Sequence, residues 1–480
     1  MKGFIVCPEY KVINDKPYVL LYGRLENKES FLAMNEFKPY FYIKESDLKK
    51  ALKLEKFESE KTEFTNFKKE KVTKVILNLP SDVPKLRKTL EENDIECYEA
   101  DIKFPYRFMF DLNLKGTIDI EGSHDKEEFI DRVYKNPEIK PVEFFPKLKI
   151  LSLDIETSSD SKELYAISLY SENFNSSLII SEKKVKNAES FEEEAELLER
   201  FVKVVQEFDP DIITGWNLID FDLNFLKKRF EQQEIPFTLG RTNEAGKLSI
   251  ESDFFRTSKA NIPGRQTLDA LSLVKDPYLK DSPFMREKKF ENYKLETVSN
   301  VLLGKSKLID SSKNKGEEIT RLFEKDKESL IKYNLNDAKL VYEILEETKL
   351  LDILIERSIL TGMPLDRVNA SIASMDSLYL REARKRKLVL PSNKFSNKEN
   401  PITGGYVMAS KPGIYDNILV FDFKSLYPSL MRTFNIDPAS YLEKKEKNSI
   451  ETPNKAYFKN EDGILPTILE KLTEARVKAK

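Results

Sequence analysis

The chain has 480 residues, with 79 Lys and Arg against 82 Asp and Glu and a formal charge of −3 at pH 7. This length predicts about three domains, and the charge argues against a uniformly basic coat for nucleic acid. With one histidine and only Cys7 and Cys97, a His/Cys zinc site, a histidine-based triad and a disulfide framework are poor candidates. No apolar run suits a signal peptide or membrane span, so we predict a cytoplasmic protein without membrane contact, nucleoid-associated if bacterial.

The predicted elements divide the chain into three domains of mixed α/β and α+β class. Residues 1–146 contain short β-like runs separated by turn formers, which predicts a β-rich N-terminal domain. Residues 147–365 alternate apolar strands with helical patterns, which favours an α/β domain. Residues 366–480 include an apolar run at 418–421 that we predict to be a strand, followed by a helix.

The first chemical signal is a pair of carboxylates. Asp154 and Glu156 stand two residues apart in the sequence LSLDIETS, so a strand places both on one face, with Leu153 and Ile155 on the packed face. Neighbouring carboxylates repel each other unless a divalent cation lies between them. Alone, the pattern also fits a strand that ends in two solvated acids.

Two further segments carry acids at positions compatible with the same site. In IITGWNLIDFDLNFL, a predicted strand leads into a helix that Asp220 could cap, with Asp222 in its first turn. Asn217 adds an amide that can reach a substrate or water. In YNLNDAKL, Tyr333 and Asp337 are four residues apart and share one helix face. Each segment taken alone also fits an ordinary surface helix.

Taken together, the three segments predict a site built from oxygen ligands. Such ligands suit Mg²⁺ or Mn²⁺. Four acids can hold two ions, one generating hydroxide and the other stabilising the leaving oxygen of a phosphoryl displacement. The combination predicts phosphodiester hydrolysis without histidine, with the carboxylates of Asp154, Glu156, Asp222 and Asp337 as ligands.

At these residues the sequence resembles the proofreading exonuclease domain of family-B DNA polymerases. DIET at 154–157 matches the first exonuclease motif, NLIDFD at 217–222 the second, and YNLND at 333–337 the third, in the family's order. The resemblance implies a ribonuclease-H-like fold that removes nucleotides from a 3′ end with two Mg²⁺ (or Mn²⁺) ions.

The resemblance also implies a role for each matching residue. Asp154, Glu156 and Asp337 would surround one metal. Asp154 would be shared with a second metal that Asp222 supports, and Tyr333 would orient the attacking water. Residues implied to contact the DNA strand are Asn217 and Phe221.

A second resemblance lies near the end of the chain. DFKSLYPS at 422–429 matches the first polymerase motif of the same family, and ITGGYVM before it resembles the glycine-pair motif that links exonuclease and polymerase domains. Ile402 stands where the family usually has tyrosine. With this departure, with GGYVM at 404–408 and with RTFNIDP at 432–438, the sequence is most similar to the bacterial DNA polymerase II branch. The resemblance implies the beginning of a polymerase palm, with a second two-metal site.

The palm residues receive their roles from the same resemblance. Asp422 would bind both catalytic ions, and Tyr427 would pack under the incoming sugar. The glycines let backbone N–H groups approach DNA phosphates. Backbone at the nucleotide would come from Phe423, Ser425 and Leu426, and backbone at the DNA from Gly404 and Gly405.

A basic run at 381–387 contains five cations and one acid. It fits a DNA-tracking face and a solvated helix surface equally well.

The family's finger motif KxxxNSxYG and its paired-aspartate hairpin do not occur in this sequence. We therefore expect the chain by itself to be exonuclease-competent and not to extend primers, as the N-terminal portion of a longer polymerase or one half of a split one. Expected partners are primer-template DNA, a single-stranded 3′ end, a C-terminal polymerase fragment and a sliding clamp, with dNTPs bound only once the rest of the palm is supplied. A stand-alone exonuclease and a non-catalytic, DNA-binding polymerase relative or subunit stay open.

Overall fold

The structure is a computed structural model that describes residues 1–251, 258–305, 315–393, 405, 407–423 and 425–479. The predicted palm residue Gly404 lies outside these ranges. The chain forms two compact units, one of Met1–Phe37 with Phe104–Ser377, the other of Lys38–Lys103 with Leu378–Lys480. The domain bounds after residues 146 and 365 are a different division, along the sequence, and stay a prediction.

The strands of the described residues are short to medium in length and carry the labels β1 to β22. In chain order they are β1 Lys2–Ile13, β2 Lys16–Leu25, β3 Ser30–Glu36, β4 Tyr40–Lys44, β5 Glu58–Thr65, β6 Lys71–Ile76, β7 Cys97–Tyr98, β8 Thr117–Glu121, β9 His124–Glu127, β10 Ile130–Lys135, β11 Glu138–Pro141, β12 Ile150–Thr157, β13 Leu164–Ser171, β14 Phe174–Ile180, β15 Glu189–Phe191, β16 Ile212–Gly215, β17 Lys247–Ser249, β18 Lys259–Asn261, β19 Gln266–Asp269, β20 Tyr441–Leu442, β21 Ile450–Glu451 and β22 Tyr457–Phe458.

The helices carry the labels α1 to α14, besides a 3₁₀ turn at Glu45–Asp47 and a π-helical turn at Leu218–Leu223. Among the described residues, no helix combines the length and the apolar character needed to cross a membrane. In chain order the helices are α1 Leu48–Leu54, α2 Asp82–Glu91, α3 Phe104–Asp111, α4 Glu194–Phe208, α5 Asn224–Gln232, α6 Ala270–Lys275, α7 Pro277–Lys280, α8 Leu295–Leu303, α9 Lys315–Lys325, α10 Lys327–Thr348, α11 Leu350–Thr361, α12 Ser371–Lys385, α13 Leu426–Thr433 and α14 Ile464–Ala479.

The first unit contains a six-stranded sheet with the order β15-β14-β13-β12-β16-β19. β12, β13 and β14 pair antiparallel, whereas β16 joins β12 in parallel and β19 joins β16 in parallel. β12 is therefore central, and Leu151, Leu153 and Ile155 point into a core shared with α4 and α5. The predicted strand and its packed face are confirmed.

A seven-stranded sheet in the same unit has the order β11-β8-β1-β2-β3-β10-β9. Its longest pairing is the β1–β2 hairpin, in which Ile13 faces Lys16 across a two-residue turn. Asn14 and Asp15 both have positive φ, at 48° and 61°, as the tight turn of such a hairpin requires. The β-rich character predicted for this part of the chain is confirmed.

The second unit is built around the sheet β5-β6-β4-β7, with a separate three-stranded sheet β20-β22-β21. Phe41, Ile43 and Val75 pack with Leu86 and Leu90 of α2 to form the core of the first sheet. A smaller cluster joins α12 to α14 through Tyr379, whose hydroxyl donates to Asp437 at 2.8 Å.

The strand predicted at residues 418–421 is wrong. These residues adopt no regular structure, and Ile418, Leu419, Val420 and Phe421 are between 64% and 89% exposed. An apolar sequence becomes a strand only when another strand satisfies its backbone groups. No strand of the described residues pairs with this run.

Residues of the basic run at 381–387 form contacts within the second unit. Arg381 is buried, and Arg384 donates to the Tyr40 hydroxyl at 3.2 Å. Arg386 donates to the Asp462 carbonyl and Lys387 to Glu63. Several cations of the run therefore have partners within the second unit, and contact of the run with DNA stays a prediction.

A buried cluster of arginines and aspartates lies at the starts of β12 and β16. Asp211 accepts hydrogen bonds from Arg24 Nε at 3.0 Å, from Arg241 at 2.7 Å and from the Lys149 backbone N–H at 2.8 Å. Burial raises the pKa of Asp211, but the guanidinium charges of Arg24 and Arg241 outweigh it, so the pKa is lowered overall. Since Lys149 precedes β12 and Asp211 precedes β16, the cluster fixes where these parallel strands begin.

We predict that Asp211→Asn lowers the stability of the first unit by about 3–5 kcal/mol, because it leaves Asp209 as the one carboxylate of the described residues that is paired with the buried guanidinium groups of Arg24 and Arg241. Urea unfolding followed by the fluorescence of Trp216, the single tryptophan, measures the effect. Because the pKa of Asp211 is lowered, its contribution is present above the unfolded-state pKa of about 3.9 and is lost as pH falls through the folded-state pKa.

A matched control is Glu189→Gln, which removes the acid of an exposed ion pair with Arg200 in the same unit. That change is expected to alter stability by no more than about 0.5 kcal/mol. Equal, small effects of the two substitutions would contradict the anchoring role of Asp211.

Candidate metal centre

Three of the four predicted carboxylates meet in the first unit. Asp154 and Glu156 lie on β12, and Asp337 lies on α10, which packs against that strand. Each offers a carboxylate oxygen, and these oxygens lie within 4.8 Å of one another. Glu156 and Asp337 are buried, whereas Asp154 is half-buried. The fold thus places Asp337 beside two acids that precede it by more than 180 residues in sequence.

Asp222 lies beside this group without being part of it. Its Oδ1 accepts the N–H of Ile155 at 3.2 Å, which holds it against β12 at the residue between Asp154 and Glu156 in sequence. Burial, and then the negative charge of Asp154, raise the pKa of Asp222 well above its ordinary value. Asp222 is therefore close enough to Asp154 to interact electrostatically with it, as a shared second metal position requires.

The turn that carries Asp222 differs from the predicted capped helix. Gly215 ends β16 so close to β12 that a Cβ there would lie 2.7 Å from the Leu153 carbonyl oxygen. Asn217 then adopts the left-handed conformation, with φ 64°, a region that asparagine tolerates. Helical structure begins directly after Asn217, so Asp220 lies inside the π-helical turn and the prediction that it caps the helix is wrong.

Tyr333 lies one turn before Asp337 on α10, as the four-residue spacing predicted. Its side chain is buried, and its pKa is raised by burial first and then by the charges of Asp337, Glu156 and Asp154. The phenol therefore stays protonated at neutral pH. A protonated phenol can donate a hydrogen bond to water or phosphate but cannot act as the general base.

Two site residues were not found from the sequence. Asn334 donates from Nδ2 to Asp154 Oδ2 at 2.6 Å. Lys315, the first residue of α9, lies with Nζ 5.5 Å from the Tyr333 ring centroid. Burial lowers the pKa of Lys315, but the charges of Glu156, Asp154 and other site carboxylates raise it overall. Asn334 was visible only as an unassigned position within YNLND, and no pattern marked Lys315.

The donor set fits a hard divalent cation. Carboxylate oxygens are the ligands of Mg²⁺ and Mn²⁺, and the three that converge here belong to acids that otherwise repel each other at close range. No His or Cys joins the group among the described residues. The chemistry of the donors therefore agrees with the cofactor predicted from the sequence.

The two residues predicted to contact the strand lie on the same turn as Asp222. Asn217 is half-buried at its start, whereas Phe221 is 40% exposed. The Phe221 ring lies nearly parallel to that of Phe225, with 6.5 Å between centroids. An exposed ring of this kind offers a face on which a base can stack.

The predicted polymerase residues do not converge on a site in the described residues. Asp422 is exposed, and the side chains of Phe423 and Tyr427 are 77% and 74% exposed. A Cβ added at Gly405 would meet no atom of the described residues within 4 Å. Ser425 has φ 52° and precedes α13, whose first residue is Leu426.

Known proteins match an exonuclease part and a polymerase part of this chain. A family model described as DNA polymerase family B, exonuclease domain, matches residues 95–298, and one described as DNA polymerase family B matches residues 368–480. DNA polymerase II of Escherichia coli (strain K12) is 34% identical over 408 residues, covering 82% of this chain and 50% of the relative. A DNA polymerase of Thermococcus sp. (strain 9oN-7) is 28% identical over 509 residues, covering 99% of this chain and 60% of the relative.

A solved structure agrees with the fold. The family B DNA polymerase from the hyperthermophilic archaeon Pyrobaculum calidifontis superposes with a TM-score of 0.77 at 24% sequence identity, covering 100% of this chain and 63% of that chain. Fold and sequence matches together define a DNA polymerase chain with an exonuclease domain. The chain belongs to the family B DNA polymerases, and it contains the exonuclease domain and part of the polymerase domain.

The predicted family and fold class are therefore confirmed. The chain spans about half to three fifths of the length of these curated relatives. The role of each site residue stays a prediction.

We predict that Asp222→Asn stabilises the metal-free protein at neutral pH. An acid with a raised pKa binds its proton more tightly in the folded state, so its contribution to stability falls as pH rises from about 3.9 through the raised pKa. The amide keeps an oxygen for the Ile155 N–H and removes the charge. Urea unfolding in EDTA, followed by Trp216 fluorescence, is expected to show a higher midpoint, with the gain disappearing at low pH.

Asp220→Asn is the matched control, since it makes the same change at an exposed position of the same turn. It is expected to leave the midpoint unchanged. A lower midpoint for Asp222→Asn at neutral pH would contradict the electrostatic cost assigned to Asp222.

Proposed function

We propose that this chain carries a two-metal 3′→5′ exonuclease that degrades single-stranded or mismatched DNA ends. The observation that carries the proposal is the convergence of Asp154, Glu156 and Asp337 oxygens within 4.8 Å. The hydrogen bond from Ile155 to Asp222 supports a second metal position beside the first. Membership of a family whose exonuclease domain matches residues 95–298 supports the substrate class.

Mg²⁺ or Mn²⁺, when bound, would activate water and neutralise charge at the scissile phosphate. Asp154, Glu156 and Asp337 would hold one ion, and Asp222 together with Asp154 the other. The Tyr333 phenol, kept protonated by its surroundings, would donate a hydrogen bond that orients the attacking water. Phe221 would stack on a base near the 3′ end, and Asn217 would contact the strand.

Binding of the strand should depend on its backbone. Base stacking on an exposed ring and contacts with phosphates are tolerant of sequence. Lys315 interacts electrostatically with the site carboxylates and lies near the Tyr333 ring, so its positive charge would attract a phosphate of the strand. We expect affinity for DNA to fall with rising salt.

We predict that Asp154→Ala combined with Glu156→Ala abolishes Mg²⁺-dependent degradation of a 5′-labelled single strand, because two of the three converging ligands are lost. Denaturing gels of the reaction products measure the activity. EDTA added to the parent protein should have the same effect.

The matched control is Asp125→Ala combined with Glu127→Ala. These acids have the same two-residue spacing on strand β9, but they are exposed and lie outside the carboxylate group. The control should retain parental activity. Degradation that survives the loss of Asp154 and Glu156 would refute the exonuclease assignment.

For the polymerase motif we propose a beginning of the palm that needs further palm elements. Asp422 lies in no group of metal-competent side chains among the described residues. The exposed apolar residues at 418–421 suit burial against further palm strands, supplied by the same polypeptide or by a second one. Primer-template DNA and dNTPs would then bind there, and a sliding clamp is a proposed partner. The proposed compartment is the cytoplasm, or the nucleoid in a bacterium.

We predict that the 480-residue chain extends no primer beyond the background of a protein-free reaction, because the paired-aspartate motif is missing from its sequence. The assay uses labelled primer-template, Mg²⁺ and all four dNTPs, with the Asp154→Ala, Glu156→Ala variant to prevent product degradation. A complete family B polymerase in the same assay is the positive control. Robust extension by the chain alone would overturn the proposal.

A further inference from the structure

Asn334 is fully buried on α10, between Tyr333 and Asp337. It is the donor in a hydrogen bond of 2.6 Å from Nδ2 to Asp154 Oδ2. The bond joins residues 180 positions apart and connects the helix that carries Asp337 with the strand that carries Glu156. Asn334 is thus placed to control the orientation of the carboxylate predicted to be shared by both ions.

The direction of this amide follows from the chemistry of its partner. An ionised carboxylate only accepts hydrogen bonds, so the amide must turn its NH₂ group towards Asp154. A neutral amide holds the carboxylate without adding a charge that would compete with a cation. With Oδ2 engaged, the other oxygen of Asp154 is the one free of this bond.

The amide oxygen of Asn334 indicates a further contact. Asn334 Oδ1 is buried and has no hydrogen-bond partner among the described residues. A buried acceptor left in this way costs free energy unless a donor reaches it. Water bound to a divalent cation is a strong donor, and a cation held by the carboxylate group would lie next to Asp154.

We propose that Asn334 is a positioning residue of the metal centre: its Nδ2 fixes the Asp154 carboxylate, and its Oδ1 accepts a hydrogen bond from water on the bound cation. This inference rests on the proposed exonuclease function for its biological meaning. It goes beyond that function because Asn334 is not one of the proposed metal ligands and acts on the metal through Asp154. Outer-shell partners of this kind raise metal affinity by about 10- to 100-fold.

The test measures metal binding directly. Asn334→Leu and Asn334→Ala both remove the amide, and the second avoids any clash of the first. Free Mn²⁺ is followed by electron paramagnetic resonance while the full chain is titrated, with the Asp154→Ala, Glu156→Ala variant defining binding outside the site. The Mg²⁺ midpoint, which is the Mg²⁺ concentration that gives half of the maximal rate of strand degradation, and the maximal rate itself are measured separately.

Asn336→Leu is the matched control. Asn336 lies on the same helix, and its Nδ2 is buried without a hydrogen-bond partner among the described residues. The same change of amide to apolar side chain is therefore made two residues away, without loss of the bond to Asp154. Trp216 fluorescence verifies that each variant is folded.

We expect both Asn334 variants to bind Mn²⁺ about 10- to 100-fold more weakly, with a raised Mg²⁺ midpoint and a maximal rate restored at saturating Mn²⁺. Asn336→Leu should match the parent. Unchanged Mn²⁺ affinity in both Asn334 variants, an equal loss in Asn336→Leu, or no Mn²⁺ binding by the parent would each overturn the proposal. If the parent binds Mn²⁺ but degrades no DNA, the proposed function fails while weaker Mn²⁺ binding in the Asn334 variants still supports Asn334 as a positioning residue.

Discussion

Repulsion between buried carboxylates is the constraint on which the site depends. Asp154, Glu156 and Asp337 present oxygens within 4.8 Å of one another, and the raised pKa of Asp222 reflects burial together with the charge of Asp154. A protein tolerates such a cluster when fixed elements hold it and when a cation, or protonation of one member, reduces the repulsion. The central strand β12 and the long helix α10 provide the fixed elements. The positive charge of Lys315 and the amide of Asn334 compensate part of the cost before any metal arrives.

The cluster of arginines and aspartates at the other end of the same strands is the structural counterpart. Asp211 bonds to the backbone N–H of Lys149 and to two guanidinium groups, so β12 and β16 start from one buried ionic anchor. Asp154 and Glu156 lie five and seven residues after Lys149 along β12, at about 3.2–3.4 Å per residue. A shift of one residue in either strand would turn its side chains to the opposite face. The geometry of the metal centre is therefore set by packing and ion pairing well away from it.

Sequence reasoning succeeded where a short period determines which face a side chain occupies. The two-residue period of β12 placed Asp154 with Glu156, and the four-residue spacing placed Tyr333 with Asp337. It failed where the outcome depends on partners distant in sequence. Asn334 matters because Asp154 lies opposite it, and no local pattern encodes that. The left-handed conformation of Asn217 moved the helix start ahead of Asp220, and residues 418–421 had no strand to pair with among the described residues.

The two chemical centres implied by the sequence differ in how completely the described residues build them. The four carboxylates of the proposed exonuclease site lie in one compact unit, where Asp222 accepts the Ile155 N–H and Asp154 accepts a hydrogen bond from Asn334. Asp422 is exposed, and so are the apolar side chains at 418–421 that precede it. The described residues do not bury these apolar side chains, so we propose that a palm site forms only when further palm elements cover them. The carboxylates of the proposed exonuclease site, in contrast, are positioned by elements of their own unit, so the proposed cleavage does not depend on a complete polymerase site.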